Sequence, residues 1–123
     1  MVSHYIKHSF EAIEPVACPC GYSKRAFMEV EGKPATVHLL DVKQDTAPHY
    51  HRKMTEFYTI LEGEGFLEID GEMVPVKPMD TVMIPPGCVH RPVGRIRLLN
   101  FVIPGFDPED EYVVHSSQTA QSG

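Results

Sequence analysis

Apolar residues along this chain come in short runs, and a Pro or Gly closes almost every run. Runs of roughly four to eight residues, rich in β-branched and aromatic side chains and bounded by turn residues, are the signature of strands. "ATVHLLDV" (35–42) predicts a strand. "EFYTILEGEGFLEID" (56–70) predicts one long strand, or two short ones broken near Gly63 and Gly65. "GEMVPV" (71–76) follows across Asp70-Gly71, a dipeptide suited to a two-residue hairpin turn. "TVMIP" (81–85), "VHRPV" (89–93) and "RIRLLNFVIP" (95–104) complete the set. No window carries a helical period of any length, although "DPEDEY" (107–112) has room for one helical turn. Many short, evenly spaced strands predict an all-β protein, an antiparallel sandwich or barrel. Residues 1–24 have mixed character and read as an N-terminal arm; the polar "SSQTAQSG" (116–123) is expected to be a disordered tail.

A length of 123 residues fits a single domain spanning 1–123 and suffices to bury a core without disulfides. A formal net charge of −6 argues against nucleic acid and anionic membrane as partners. No apolar run approaches the roughly 20 residues of a membrane span. "MVSHYIKHSF" lacks the basic and apolar blocks of a secretory leader, so a cytoplasmic protein is expected. Three cysteines, Cys18, Cys20 and Cys88, do not make a disulfide framework. Cys18-Pro-Cys20 is not a CxxC; it reads as a loop feature, the alternative being a reactive or metal-binding thiol pair without evident partners.

The chemistry concentrates in "PHYHRKMTEFYTILEGEG" (48–65). In an extended chain, residues i and i+2 share a face, so His49 and His51 point the same way. If "RKMT" is a four-residue hairpin connection, His51 lies opposite Glu56 and His49 near Tyr58. Two imidazoles and a carboxylate then converge. A carboxylate buried without compensation is costly, and a divalent metal removes the cost while using these side chains as ligands. Downstream, Pro85-Pro86-Gly87 reverses the chain and can aim His90 back toward the cluster.

These residues resemble a known family. His49-x-His51-x4-Glu56-x6-Gly63 is similar to the first motif of the cupins, and Pro85-x-Gly87-x2-His90 to the core of the second. The resemblance covers a barrel core of about residues 35–103. Lys43 and Met79 stand where the two motifs usually open with Gly, and Gly94 where the second often closes with Asn. The resemblance implies a double-stranded β-helix, a small jelly-roll barrel, with a metal held in its mouth by His49, His51, Glu56 and His90. Iron, manganese, zinc and nickel all accept such donors.

Around that site, alternation places Tyr58 and Ile60 on the inner face with Glu56, and Phe57, Thr59 and Leu61 on the other. Tyr58 either bonds a ligand or fills the barrel. Cys88, two residues before His90, is expected to bring its thiol near the metal. His38 is a core histidine or a pocket residue. Arg52, Arg91, Arg95 and Arg97 are surface charges or an anion clamp at the mouth. Two function classes survive. One is a metal-dependent enzyme on a small organic acid or related compound, with dioxygenase-type oxidation favoured over isomerisation of a sugar derivative. The other is a non-catalytic module that binds or senses a small ligand. A homodimer is expected, because "HYIKHSFEAIEPV" (4–16) can add to a partner's exposed sheet edge.

Overall fold

The computed structural model describes residues 4–114. Its strands are β1 (Val16–Cys18), β2 (Gly21–Ala26), β3 (Thr36–Val42), β4 (His49–Tyr50), β5 (Thr55–Glu62), β6 (Gly65–Ile69), β7 (Glu72–Val76), β8 (Thr81–Ile84), β9 (His90–Val93), β10 (Arg97–Ile103) and β11 (Tyr112–Val113). Two antiparallel sheets face each other, ordered β1-β2-β3-β10-β5-β8 and β11-β4-β9-β6-β7. This is the double-stranded β-helix that the motifs imply. Among the described residues the only helical element is a 3-10 turn at Phe10–Ala12, and no helix is long and apolar enough to cross a membrane. The tail read as disordered lies outside the described residues.

Side-chain alternation builds the core. On β5, Glu56, Tyr58 and Ile60 point inward while Phe57 and Thr59 do not, as expected from the period-two pattern. Ile60, Leu67, Ile84 and Leu98 are at most 1% exposed and belong to one core cluster that joins the sheets. Each such side chain contributes about 1.5–3 kcal/mol by leaving water. Polar inward residues share these strands with the core: Glu56 lies opposite the buried Ile84 on β8 and the buried Val102 on β10.

Four strands escape the sequence reading. β1 and β2 lie partly in the stretch read as an arm, and the whole of β2 pairs with β3, from Gly21↔Val42 to Ala26↔Val37. Their polar composition, "GYSKRA" in β2, hides them from an apolar-run criterion. β4 and β11 are two residues each, too short to carry a period.

The hairpin expected between His51 and Glu56 does not form. β4 pairs with β9 and β11 in one sheet, whereas β5 pairs with β10 and β8 in the other. Arg52–Met54 is therefore a crossover between sheets, and His51 meets Glu56 across the barrel rather than along a ladder. The stretch 107–112 makes a single hydrogen-bonded turn, Asp110 N–H donating to the Asp107 carbonyl at 3.0 Å, without a helix, and leads into β11.

Turn chemistry is legible where φ is positive. Asp70 (φ 47) and Gly71 (φ 86) make the hairpin between β6 and β7. Lys77–Asp80 closes with Asp80 N–H donating to the Lys77 carbonyl at 3.0 Å. Pro78 takes its second position, and Met79, at φ 78, takes the third, where a type II turn favours Gly. Lys43, at the other usual Gly position, has no positive φ, and its N–H bonds the Cys20 carbonyl at 2.7 Å. Met79 is 83% exposed and packs against little. A non-Gly residue there costs roughly 1–2 kcal/mol, partly offset by the entropy Gly loses on folding. Met79→Gly should therefore stabilise the fold by about 0.5–1 kcal/mol in chemical denaturation; a loss of stability would show that the Met side chain supports the turn.

Candidate metal centre

His49, His51, Glu56 and His90 each offer one ligand atom, and these atoms all lie within 4.8 Å of one another. Each arrives from a different constraint. β4 carries His49 directly opposite His90 on β9. The Pro85–Gly87 turn is tied to the crossover by the Gly87 N–H, which donates to the His51 carbonyl at 2.7 Å. Glu56 enters from the inner face of β5 in the opposite sheet.

Backbone carbonyls orient all three rings. His51 Nδ1–H donates to the Asp110 carbonyl at 2.6 Å, His90 Nδ1–H to the Cys88 carbonyl at 2.9 Å and His49 Nδ1–H to the Ala47 carbonyl at 3.3 Å. With Nδ1 so engaged, Nε2 is the atom each ring presents to the cluster. Glu56 Oε1 lies 3.1 Å from His51 Nε2 and 2.9 Å from His90 Nε2, and Oε2 accepts from Asn100 Nδ2 at 2.6 Å.

The electrostatics follow from these contacts. Burial opposes ionisation of Glu56, but the hydrogen bonds and charge of His51 and His90 outweigh it and hold the carboxyl far below its ordinary range. Burial likewise opposes protonation of His51, yet Glu56 outweighs it and raises that pKa. Burial, reinforced by His90, lowers the pKa of His49. Three imidazoles around one carboxylate, His51 and His90 buried and His49 half-buried, each second nitrogen anchored, suit a divalent transition metal, so the residues fit such an ion.

The cluster opens on a cavity of about 490 Å³. Glu56 and His49 line it, together with Tyr58, His38 and Asn100. Burial, with smaller contributions from Glu56 and Cys20, pushes the Tyr58 phenol well above its usual range, so it stays protonated. His38 is 3% exposed and shares a 2.8 Å hydrogen bond with the Thr36 hydroxyl. Burial, aided by the nearby Arg25 charge, lowers its pKa to about 4.

Other expectations need correction. Ile60 faces inward but is 0% exposed and belongs to the apolar core, not to the cavity wall. The Cys88 thiol turns toward Asp70, 3.8 Å from Oδ2, because the turn breaks strand parity; the Cys88 carbonyl, not its sulfur, serves the site through His90. Arg91 and Arg97 do not line the cavity. Both lie on outer faces, Arg91 bonded to Glu68 at 2.9 Å and to the Thr46 carbonyl, Arg97 beside Asp41 at 3.4 Å. Arg52 stacks over the Tyr112 ring. Cys18 and Cys20 do line the cavity, their sulfurs 3.2 Å apart in a thiol–thiol hydrogen bond that lowers the Cys18 pKa to about 6.

Asp110 went unrecognised in the sequence. Its carboxylate accepts the N–H groups of Arg52, Lys53 and Met54 at 2.9–3.0 Å, and its carbonyl holds His51. Burial disfavours its charge, but the three donors prevail and lower its pKa. Asp110 thus pins the crossover that carries His51 into the site. Asn100 was also missed, though a lone amide in the apolar strand "RLLNFVI" is a usable signal.

Comparison with known proteins follows this geometry. The family model described as a cupin domain matches residues 36–96. An uncharacterized protein of Aquifex aeolicus is 33% identical over 75 residues, which cover 58% of this chain and 62% of that protein. The chain therefore spans less than two thirds of the length of this curated relative. The crystal structure of a Planctomyces limnophilus protein superposes with a TM-score of 0.82 at 35% identity, covering 89% of this chain and 97% of that one. Pac13, a nucleoside dehydratase, superposes with a TM-score of 0.79 at 21% identity, covering 90% and 92%, a likeness of fold.

Two outcomes are expected of this site. Asp110→Ala leaves three backbone donors without their acceptor, so it should cost about 2–4 kcal/mol in urea unfolding and weaken metal binding about 10–100-fold in chelator competition. Unchanged stability and affinity would contradict the role given to Asp110. The second concerns His38, neutral when folded and protonated below about pH 6.5 when unfolded. Acidification from pH 6.5 toward 4 therefore favours the unfolded chain, and the loss reaches about 3 kcal/mol below pH 4. Denaturation at pH 7 and pH 4.5 should show a smaller acid loss in His38→Gln than in wild type; equal losses would mean that His38 titrates normally.

Proposed function

The chain belongs to the cupin family, and from that premise we propose that it is a divalent-metal-dependent enzyme acting on a small organic acid or related compound, with dioxygen-dependent oxidation as its chemistry. The observation that carries this reading is the set of three carbonyl-anchored imidazoles and Glu56, of which His49 and Glu56 line a cavity of about 490 Å³. His49, His51, Glu56 and His90 would hold the ion, leaving room for a chelating ligand on the cavity side. When bound, such an ion supplies Lewis-acid polarisation of ligand oxygens and, if iron or manganese, activation of dioxygen.

The chain's own residues do the rest. Asn100 holds Glu56 in place through its amide. Tyr58, protonated at all working pH values, donates a hydrogen bond into the cavity rather than acting as a base. The apolar walls from Leu40, Pro92, Phe106 and Val113 limit water around the reacting group.

A second reading is non-oxidative dehydration or isomerisation of a sugar-like substrate. It is favoured by His38, an imidazole held neutral on the cavity wall, and by the fold shared with a nucleoside dehydratase. A non-catalytic ligand sensor makes no use of this group.

Metal analysis of purified protein, followed by oxygen uptake of the iron(II)-loaded form with a panel of oxo-, hydroxy- and catecholic acids, tests the proposal. Stoichiometric metal and substrate-dependent uptake are expected, both abolished in a His49→Ala/His51→Ala double variant that stays folded. Full metal occupancy in that variant would refute the ligand assignment. Substrate turnover without oxygen uptake would replace oxidation by the second reading.

A further inference from the structure

Registry across the first sheet sets four polar side chains in one row. Arg25 on β2 lies opposite His38 on β3, His38 opposite Asn100 on β10, and Asn100 opposite Tyr58 on β5. All four line the cavity. One end of the row touches the metal cluster: Asn100 bonds Glu56, and the Tyr58 ring lies 5.8 Å from that of His90. The other end is Arg25.

Two polar atoms of this row are buried without partners. Arg25 Nε has no acceptor, and Asn100 Oδ1 has no donor. Asn100 is only 6% exposed, so its oxygen faces the cavity or nothing. A buried N–H or C=O without a partner costs about 1–3 kcal/mol, so unmet groups of this kind are rare without a reason. Arg25 also has no ion pair among the described residues, whereas Arg91 and Arg97 each have one. Its guanidinium is held over the Phe106 ring, 4.8 Å from the centroid, which orients it without consuming its donors.

Charge points the same way. Arg25 is the one Arg or Lys lining this cavity among the described residues, which otherwise carries the carboxylates Glu56 and Glu111. In a chain of net charge −6, it is the one place in the cavity where an anion is welcome.

We propose that Arg25 is the anion anchor of the cavity, binding a carboxylate of the ligand whose other end docks at the cluster of His49, Glu56 and His90. The guanidinium offers the two-pronged donor geometry that a carboxylate matches. Neighbouring strands are about 4.8 Å apart, so Arg25 and Asn100, two strands apart, have backbones roughly 10 Å from each other. The ligand is therefore bifunctional, with a chelating oxygen pair at one end and an anion at the other. A hydroxyl or amine beside the chelating end satisfies Asn100 Oδ1. This deepens the metal-enzyme reading, and the chelating half rests on it; the Arg25 half does not.

The test separates the two halves. Benzoate, which has a carboxylate but no chelating pair, is titrated into the full chain while the Arg25 Nε–H resonance is followed by NMR. A saturable shift, absent for benzamide, is expected whether or not metal is present, and an unresponsive resonance overturns the proposal. Separately, 3,4-dihydroxybenzoate and catechol are compared on the metal-loaded protein by calorimetry. The carboxylated probe should bind at least tenfold more tightly. Arg25→Gln should erase that preference while leaving catechol affinity unchanged, and Arg25→Lys should keep part of it. Equal binding of the two probes to wild type, or a preference that survives Arg25→Gln, overturns the proposal while leaving the metal centre standing. If instead catechol does not bind metal-loaded protein and 3,4-dihydroxybenzoate binds no more tightly than benzoate, which still shifts Arg25, the metal-enzyme reading fails and the anion site stands.

Discussion

An ionised carboxylate at 4% exposure, whose hydrogen-bond partners are two histidines and an amide, is the constraint around which this barrel is arranged. Taking such a charge out of water costs several kcal/mol unless positive charge or donors compensate. Here the compensation comes from imidazoles whose far nitrogens are tied to backbone carbonyls of Ala47, Asp110 and Cys88. Three separate loops must therefore be in place before the site exists, and each loop has its own lock. Arg91 donates to the Thr46 carbonyl at 3.1 Å, Asp110 holds the crossover, and Asp70 accepts the Val89 N–H at 3.0 Å. The apolar cluster around Ile60, Leu67 and Leu98 takes in Tyr58, whose ring lies 5.8 Å from that of His90. Stability and chemistry are thus carried by the same strands.

The same arrangement explains what faces the histidine–glutamate cluster. A jelly-roll sheet sets inward residues of adjacent strands side by side, so a polar residue on each of four strands becomes a continuous polar row. Arg25, His38, Asn100 and Tyr58 share no neighbourhood in the chain, yet registry makes them neighbours. The row grades from a neutral phenol and an amide at the cluster to a permanent cation at the far end. That gradient gives a bound molecule a direction.

Much of this was legible in the sequence, and the exceptions have physical reasons. β3, β5 to β10 and the Asp70-Gly71 hairpin follow from apolar runs and turn residues, because those strands bury one face and need special φ at their turns. The convergence of His49, His51, Glu56 and His90 was readable as motif spacing, although its route was not. The spacing of His51 and Glu56 looks like a hairpin, but β4 and β5 belong to opposite sheets. β2 went unseen because its cavity-facing residues, Ser23 and Arg25, are polar, so the search for a cation settled on Arg91 and Arg97. Those arginines alternate outward and satisfy Glu68 and Asp41 instead. Asp110 was invisible for another reason: its partners lie more than fifty residues away along the chain, and no local pattern encodes that contact.

The central claim is that these four side chains form one metal centre. X-ray absorption at the metal edge of the loaded protein tests it most directly. The account predicts a shell of nitrogen and oxygen donors at about 2.0–2.2 Å with the multiple-scattering signature of three imidazoles and no sulfur near 2.3 Å. A shell containing sulfur from Cys18 or Cys20, or fewer than two imidazoles, would contradict it and move the metal to the thiol side of the cavity.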